Sequence, residues 1–179
     1  MDYTIRIGGE AGQGLQTIGG VLAKIFSRLR YHVFTHQDYM SRIRGGHNFY
    51  QIRVSDKPVS ASRNRVHILV ALNRETIDLH RDGLHDNGVI FYDPDEVKEE
   101  PEGEEFLPTP FSRLAEEKGG NKIMANTVAV GAILGLLDLD TQAAGAVLRS
   151  SLHGKSDEII EGNLKALQAG FEHSRGRTE

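Results

Sequence analysis

A glycine-rich loop between a strand pattern and a helix pattern constrains this chain more than any other feature. The strand pattern is the alternating run 3–7, which is rich in residues that favour strands. The helix pattern covers 15–30, where apolar residues recur at helical spacing and form one apolar face. Glycines let the backbone approach a ligand closely, and the free N–H groups at a helix start favour phosphate or carboxylate. The loop between the two patterns reads Gly8-Gly9-Glu10-Ala11-Gly12-Gln13-Gly14.

Three interpretations of this loop are open from its own residues. As a phosphate loop it has Gly9 and Gly14 at the right separation, but the lysine and the magnesium-binding hydroxyl that should follow are absent, which disfavours an NTPase. As a dinucleotide fingerprint it has its glycines in the wrong order, although Asp38 near the end of the next apolar run suits a ribose-binding acid. The third interpretation is a tight β-α turn that serves the fold alone.

Composition predicts one soluble domain spanning 1–179. The chain has 179 residues, of which 39% are hydrophobic and 26% are charged, as in ordinary globular proteins. A net charge of −4 disfavours general nucleic-acid binding. No apolar run reaches the roughly 18 residues that a membrane span needs. The start of the chain lacks the pattern of an export signal, so we expect a cytoplasmic protein that binds neither membrane nor nucleic acid.

The absence of cysteine removes several kinds of chemistry from this chain. Without cysteine there is no disulfide, no thiol nucleophile, no cysteine-ligated zinc and no ordinary iron–sulfur cluster. The eight histidines do not form an HExxH or His-x-His pattern. We therefore predict no catalytic residue and no metal site in this chain.

Strand and helix patterns alternate along the first part of the chain, which predicts an α/β fold. We expect a Rossmann-like three-layer sandwich with a mostly parallel, mixed sheet. The β-α-β order of the first elements indicates the start of a parallel sheet, and the polar alternation of 48–55 predicts an antiparallel edge strand. Asp140 and Ser156 have the residue types of helix N-caps. The predicted strands are 3–7, 32–36, 48–55, 66–72, 88–93 and 105–108, and the helices are 15–30, 75–84, 111–117, 121–137, 140–152 and 156–171.

A second distinctive stretch follows the second strand pattern. Arg42 and Arg44 lie one residue apart and are followed by the paired glycines Gly45 and Gly46. The planar guanidinium of arginine binds phosphate or carboxylate oxygens in pairs, so this stretch suits a loop beside an anionic group. A solvent-facing turn with incidental arginines is the alternative interpretation.

Taken together, the two stretches resemble the markers of one family, the gamma subunits of 2-oxoacid:ferredoxin oxidoreductases. Those enzymes act on pyruvate, 2-oxoglutarate or branched-chain 2-oxoacids. The loop from Gly9 to Gly14 resembles the family's G-x-G-G-Q-G loop, with Glu10-Ala11 as a mild departure. The stretch 41–47 resembles its arginine-and-glycine loop, and the helix that Asn126 leads resembles its late helix. The wording of 44–53 is closest to gamma domains that open a fused gamma–alpha chain, so this chain is either a free subunit or a piece of a longer one.

This resemblance implies a subunit that is inactive alone and contributes coenzyme A binding and complex assembly. Thiamine diphosphate, magnesium and 4Fe–4S clusters would lie in partner chains: the alpha and beta subunits and, where present, a ferredoxin-like delta subunit. Ferredoxin would accept the electrons. The wording of the second marker favours 2-oxoglutarate over pyruvate or branched-chain acids. The residues implied in coenzyme A binding are Gly9, Gly12, Gln13, Gly14, Arg42, Arg44, Gly45 and Gly46.

Two other functions stay open from the sequence. A free-standing α/β module that binds an adenine nucleotide without catalysis would need the same glycine loop. An NAD-dependent oxidoreductase is disfavoured by the glycine spacing and by the lack of a placed acid–base pair.

Overall fold

The computed structural model describes residues 1–39 and 46–177, and it divides into two compact units, Met1–Pro108 and Thr109–Glu179. The first unit contains a sheet with helices and the second is helical, so the predicted α/β class is confirmed. The strands are β1 (Asp2–Glu10), β2 (His32–Tyr39), β3 (His47–Ser55), β4 (Val66–Ala71), β5 (Leu84–Tyr92) and β6 (Phe106–Pro108), and the helices are α1 (Leu15–Arg28), α2 (Arg74–His80), α3 (Phe111–Leu114), α4 (Ala125–Leu136), α5 (Thr141–Ser151) and α6 (Asp157–Ser174).

The six strands form one sheet in the order β2-β3-β1-β4-β5-β6. β1, β4, β5 and β6 pair in parallel, whereas β3 is antiparallel to both of its neighbours, β1 and β2. Every strand except β3 therefore runs in one direction. The prediction of a mostly parallel, mixed sheet with an antiparallel pairing at its edge is confirmed.

One detail of the predicted strand order was wrong. The strand that we expected at the edge, β3, lies one position inside it, and β2 is the edge strand. β1 and β2 are consequently not neighbours, because β3 pairs along the full length of both. The connection from Tyr39 to His47 is too short for a parallel crossover, so β2 and β3 must form an antiparallel pair. The polar residues of β3 suggested exposure, yet Gln51 is only 3% exposed.

Helices α1 and α2 cover opposite faces of the sheet. Gly19 of α1 lies so close to β3 that a Cβ there would be 2.3 Å from the ring of Tyr50. A Cβ on Gly8 of β1 would lie 2.5 Å from Thr76 of α2. Gly8 is aligned with Phe49, the neighbour of Tyr50, and successive strand residues face opposite sides of a sheet. These contacts give the three layers that the sequence predicted.

Each face of the sheet has its own apolar core. On the α1 face, helix and strand side chains with no exposed surface meet, and each contributes about 1.5–3 kcal/mol by leaving water. That group comprises Ile18, Leu22, Ile25 and Phe26 of α1 with Ile5, Ile7, Ile52 and Val54 of the sheet. On the other face, the cluster comprises Val66, Leu69, Ala71, Ile77, Ile90, Tyr92, Val97 and Phe106.

In the helical unit, α4 and α6 approach closely through glycines. A Cβ on Gly131 of α4 would lie 2.0 Å from the carbonyl oxygen of Leu167, and one on Gly170 of α6 would lie 2.0 Å from that of Val128. The two predicted caps are present, since Asp140 accepts from the N–H of Gln142 and Ser156 from that of Ile159. Among the described residues, none of the helices has the length and hydrophobicity that crossing a bilayer requires.

Candidate functional site

The glycine loop connects the last residue of β1, Glu10, to the first residue of α1, Leu15. Gly12 and Gly14 have φ values of 91° and 83°, which side chains other than glycine adopt with strain. Gly14 is the N-cap of α1; within the described chain no side chain caps this helix, and its first turn carries no acid. The N–H groups of the first turn and the positive end of the helix dipole are therefore available to an anion.

Gln13 holds the loop in place through its side-chain amide. Its Oε1 accepts from the N–H of Glu10 at 2.6 Å, and its Nε2 donates to the carbonyl oxygen of Leu72 at 3.2 Å. Leu72 directly follows β4, and its own N–H donates to the carbonyl oxygen of Gly8 at 3.0 Å. The side chain of Gln13 thus joins the ends of two parallel strands, and its role in the site is to position the backbone.

Gly9 and Gly12 are glycines for different reasons. A Cβ on Gly9 would lie 2.5 Å from Oε1 of Gln13, so Gly9 makes room for the hydrogen bonds of that side chain. A Cβ on Gly12 would meet no described atom within 4 Å. Packing against the described part of the chain does not require a glycine at this position. Gly12 is instead explained by its positive φ and by the open space that it leaves beside the backbone.

The second marker is described only in part. Arg42, Arg44 and Gly45 lie outside the described residues, whereas Gly46 is half-buried immediately before β3. In the register of the sheet Glu10 is aligned with His47, and Tyr39 with Asn48. The end of β1, the end of β2 and the start of β3 therefore lie at the same edge of the sheet, which we call the loop edge.

A cavity of about 370 Å³ lies at the loop edge, between α1 and the strands β2 and β3. Small-molecule sites in proteins commonly have volumes of roughly 300–1,000 Å³, apolar walls and a few polar groups. The loop and α1 contribute Gly12, Gly14 and Gln16 to this cavity, and β2 and β3 contribute Gln37, Tyr39 and Tyr50.

Tyr39 is held in this cavity by hydrogen bonds to two glutamines. Its hydroxyl accepts from Nε2 of Gln16 on α1 and donates to Oε1 of Gln37 on β2. The residue is nevertheless 56% exposed. Sequence reasoning missed these three residues. Their only signal was that Gln37 and Tyr39 are two apart on a strand and so share a face.

The opposite face of the sheet carries a histidine pair near the loop edge, in which His47 is buried and His80 is half-buried. Nε2 of His47 lies 2.6 Å from Nε2 of His80, and Nη1 of Arg6 lies 2.9 Å from Nδ1 of His80. Burial lowers the pKa of His80 to about 4, with Arg6 and His47 adding to the effect. Burial also lowers the pKa of His47, against the opposing influence of Glu75. Both rings are therefore neutral at pH 7.

The proton positions of this pair follow from the fixed donors of Arg6. Since a guanidinium only donates, Nδ1 of His80 must accept, and Nε2 of His80 then carries the proton that it donates to His47. The remaining proton of His47 lies on Nδ1, a buried atom that has no partner among the described residues. Within the same residues, no group of three or more histidines and acids is placed to hold a metal ion.

Other arginines that the sequence places near the second marker lie at the far end of the sheet. Arg53 binds Asp2 through Nε and Nη2 at 3.0 and 2.9 Å, and Arg63 contacts the same carboxylate at 2.8 Å. Asp2 offsets one of these two positive charges, and both arginines lie away from the loop edge.

Comparison with known proteins shows which family the chain belongs to. Residues 4–173 match the family model described as pyruvate ferredoxin/flavodoxin oxidoreductase. The chain is 34% identical to the 2-oxoglutarate synthase subunit KorC of Methanothermobacter thermautotrophicus, covering 94% of this chain and 93% of the relative. It is 30% identical to the ketoisovalerate oxidoreductase subunit VorA of the same organism, covering 99% of this chain but only 38% of that relative.

Two solved structures resemble the chain in fold and sequence. One is 2-oxoglutarate:ferredoxin oxidoreductase from Magnetococcus marinus, with 2-oxoglutarate, coenzyme A and succinyl-CoA bound; the TM-score is 0.86 at 26% identity, over 97% of this chain and 31% of that one. The other is the gamma subunit of a keto/oxoacid ferredoxin oxidoreductase from Geobacter sulfurreducens, with a TM-score of 0.81 at 31% identity, over 97% of each chain.

The chain therefore belongs to the pyruvate ferredoxin/flavodoxin oxidoreductase family, whose members are oxidoreductases that act on 2-oxoacids. Within this family it is a gamma-type chain, as the sequence markers indicated. It spans about a third of the length of relatives such as VorA and the Magnetococcus chain, and nearly the whole of others.

Proposed function

We propose that this chain is the coenzyme A-binding gamma part of a complex that oxidatively decarboxylates a 2-oxoacid. In that reaction the oxoacid loses CO2, its acyl group is joined to the thiol of coenzyme A, and the released electrons pass to ferredoxin. The proposal rests on the start of α1, where N–H groups that no described side chain caps adjoin a cavity. The coenzyme A bound in the Magnetococcus enzyme supports this choice of ligand.

The residues at the loop edge suit the anionic part of coenzyme A. Its pyrophosphate and 3′-phosphate need several hydrogen-bond donors, which the backbone N–H groups of Gly12, Gly14 and the first turn of α1 supply without side chains. Gly12 leaves space for a phosphate beside the backbone. Arg42 and Arg44 add charge-assisted bonds to a second phosphate, with Gly45 and Gly46 turning the chain beside it. Gly9 and Gln13 shape the loop rather than contact the ligand.

The redox chemistry takes place in partner chains. This chain has no cysteine with which to hold 4Fe–4S clusters. Thiamine diphosphate, magnesium and the clusters belong to alpha and beta subunits and, in some complexes, to a ferredoxin-like delta subunit. This chain then has no turnover alone, and its second role is assembly of the complex, which works in the cytoplasm.

The substrate that we propose is 2-oxoglutarate, as the wording of the second marker favours. KorC is named as a subunit of 2-oxoglutarate synthase and the Magnetococcus enzyme as a 2-oxoglutarate:ferredoxin oxidoreductase, whereas VorA is named for ketoisovalerate. We also propose that 1–179 function as one gamma-type domain, since a single family model spans both compact units.

The test is isolation of the chain from its native cell extract. We expect thiamine-binding and cluster-binding chains to be recovered with it, and the isolated complex to reduce ferredoxin only when both a 2-oxoacid and coenzyme A are present. Removal of this chain from the complex should abolish the coenzyme A-dependent reduction of ferredoxin. Recovery of the chain without such partners would contradict the proposal.

A free-standing nucleotide-binding module is the second candidate function, because the loop and its cavity suit it equally well. In that case the chain would be isolated alone and would bind ADP as tightly as coenzyme A.

A further inference from the structure

The two edges of the sheet differ in how well they are protected against pairing with another chain. β6 forms one edge with only three residues, and it ends at Pro108, which has no N–H to donate. β2 forms the other edge with eight residues, none of which is lysine, proline or buried, and its register with β3 is unbroken. β2 therefore presents a row of backbone donors and acceptors for which the described chain provides no second strand.

The side chains of β2 alternate between the two faces of the sheet. Gln37 is aligned with Tyr50, which packs against α1, so Gln37 and every second residue of the strand lie on the α1 face. A second copy of β2 can continue the sheet if a two-fold axis perpendicular to the sheet relates the two strands, because residues of the same face then lie opposite each other. The α1 face carries Val33, Thr35, Gln37 and Tyr39, and the opposite face carries His32, Phe34, His36 and Asp38.

One antiparallel register makes β2 complementary to itself. It places Thr35 opposite Thr35 of the second copy, which puts His32 opposite Asp38 and Phe34 opposite His36, and symmetry repeats each of these two pairs. A carboxylate accepts from an imidazole N–H, and aromatic pairs and threonine pairs also stabilise adjacent strands. Centring the strands on His36 would instead place Phe34 opposite Asp38 and two histidines opposite each other. The sequence of β2 therefore favours the register centred on Thr35.

We infer that the free edge of β2 is the surface through which two copies of this chain form a dimer, with their β2 strands antiparallel about Thr35. The sheets of the two copies become one continuous sheet. The two-fold axis keeps both α1 helices on the same face, so the cavities beside the two glycine loops lie on one side of the dimer. None of the cross-strand pairs involves coenzyme A, so the dimer does not depend on the proposed function.

The register is tested by disulfide cross-linking, because the chain has no cysteine of its own. Residues opposite each other in an antiparallel pair have Cα atoms about 4.5–5.5 Å apart, which is within the range of a disulfide. We expect Thr35→Cys to form a covalent dimer with oxidised glutathione, both as the full chain and within the isolated complex. Gln37→Cys is the matched control on the same strand and face. In this register the two copies of residue 37 are about 14 Å apart along the strands, so this variant should not cross-link.

The pairing of His32 with Asp38 is tested by exchanging the charges. Sedimentation equilibrium of the full chain should show a monomer–dimer equilibrium with a Kd of about 1–100 µM, as a small interface gives. His32→Asp places two acids opposite each other at both ends of the pair and should raise the Kd about fivefold or more. Adding Asp38→Lys creates an acid–lysine pair at each end and should return the Kd to within about twofold of the native value. Ser150→Asp, at an exposed position of α5, makes the same change in net charge and should leave the Kd unchanged.

Three results would overturn the inference. The first is a native chain that stays monomeric throughout this range of concentrations. The second is cross-linking of Thr35→Cys that is no greater than that of Gln37→Cys, or that occurs in the free chain but not in the complex, where a partner subunit would then cover β2. The third is a double variant that dimerises as weakly as His32→Asp alone.

Discussion

The Nε2 atoms of His47 and His80 lie 2.6 Å apart, although the two residues are distant in sequence. His47 begins β3 and His80 ends α2, with β4 between them in the chain. Arg6, with its Nη1 at 2.9 Å, adds a fixed positive charge beside them, and Asp38 and Glu75 are the acids whose charges act on His47. Protonation of either ring would break the hydrogen bond between them or place two positive charges side by side. The pair is therefore held neutral by the fold.

This pair should make the folded state sensitive to mild acid. The pKa of His80 is lowered to about 4, below its value of about 6.5 in an unfolded chain, so the unfolded chain binds more protons between these values. The free energy of unfolding should fall by about 2 kcal/mol as the pH drops from 7 to 4.5. Urea unfolding at both pH values measures this loss. His80→Gln should reduce the loss, and the exposed His153→Gln should not; equal losses in all three proteins would show that the pair is not responsible.

Replacing either of two adjacent glycines in α1 by alanine should change the free energy of unfolding, and the two changes should have opposite signs. A Cβ on Gly19 would lie 2.3 Å from the ring of Tyr50, whereas one on Gly20 would meet no described atom within 4 Å. We expect Gly19→Ala to lower the free energy of unfolding by about 1–2 kcal/mol through overpacking. Gly20→Ala should raise it by about 0.5–1 kcal/mol, because it removes backbone freedom from the unfolded chain. Thermal or urea unfolding of the two variants gives the comparison, and shifts of the same sign would refute the packing of α1 on β3.

Loss of the Gln13 amide should loosen the glycine loop. Gln13→Ala removes the bonds to Glu10 and Leu72, and we expect a destabilisation of about 1–2 kcal/mol. The affinity for coenzyme A should fall about fivefold, because the loop is no longer held in its binding conformation. Calorimetric titration measures the affinity, and the exposed Gln168→Ala serves as the control. If the Gln13→Ala variant were destabilised but kept its affinity for coenzyme A, the conformation of the glycine loop would not determine the binding of this ligand.

Arg42 and Arg44 should contribute to affinity through charge. The double variant Arg42→Ala/Arg44→Ala is expected to weaken coenzyme A binding by about tenfold or more and to reduce its dependence on salt. Lys57→Ala/Arg65→Ala removes the same amount of charge at the end of the sheet opposite the loop edge and should have little effect. Titrations at low and high salt measure both quantities. If the two double variants behaved alike, net charge rather than the second marker would explain the loss.

The elements whose signals are local in the chain could be predicted from the sequence. The glycine loop lies between a strand and a helix as expected, and Asp140 and Ser156 cap their helices, because each feature depends on residues a few positions apart. The close approach of α4 and α6 also agrees with the small residues of α4, among them Ala129, Ala132 and Gly135, which are buried.

Features that depend on strand register could not be predicted in this way. The position of β3 inside the sheet follows from its pairing with both β1 and β2, while its polar residues suggested an edge. Gln51 is polar but buried because its Oε1 accepts from Arg6 and its Nε2 donates to the carbonyl oxygen of Arg63. The contacts of His47 with His80 and of Tyr39 with Gln16 join distant positions, and periodicity carries no information about them.

The placement of β1 also constrains how the protein is made. It is synthesised before the other strands of this sheet, yet it lies inside the sheet, between β3 and β4, and its parallel partner ends only at Ala71. Nascent chains emerge from the N-terminus, so the apolar side chains of β1 stay without their final neighbours until that point has left the ribosome. During this interval the strand can pair with other chains, and we expect translation pauses that occur before residue 71 has left the ribosome to increase aggregation more than later pauses.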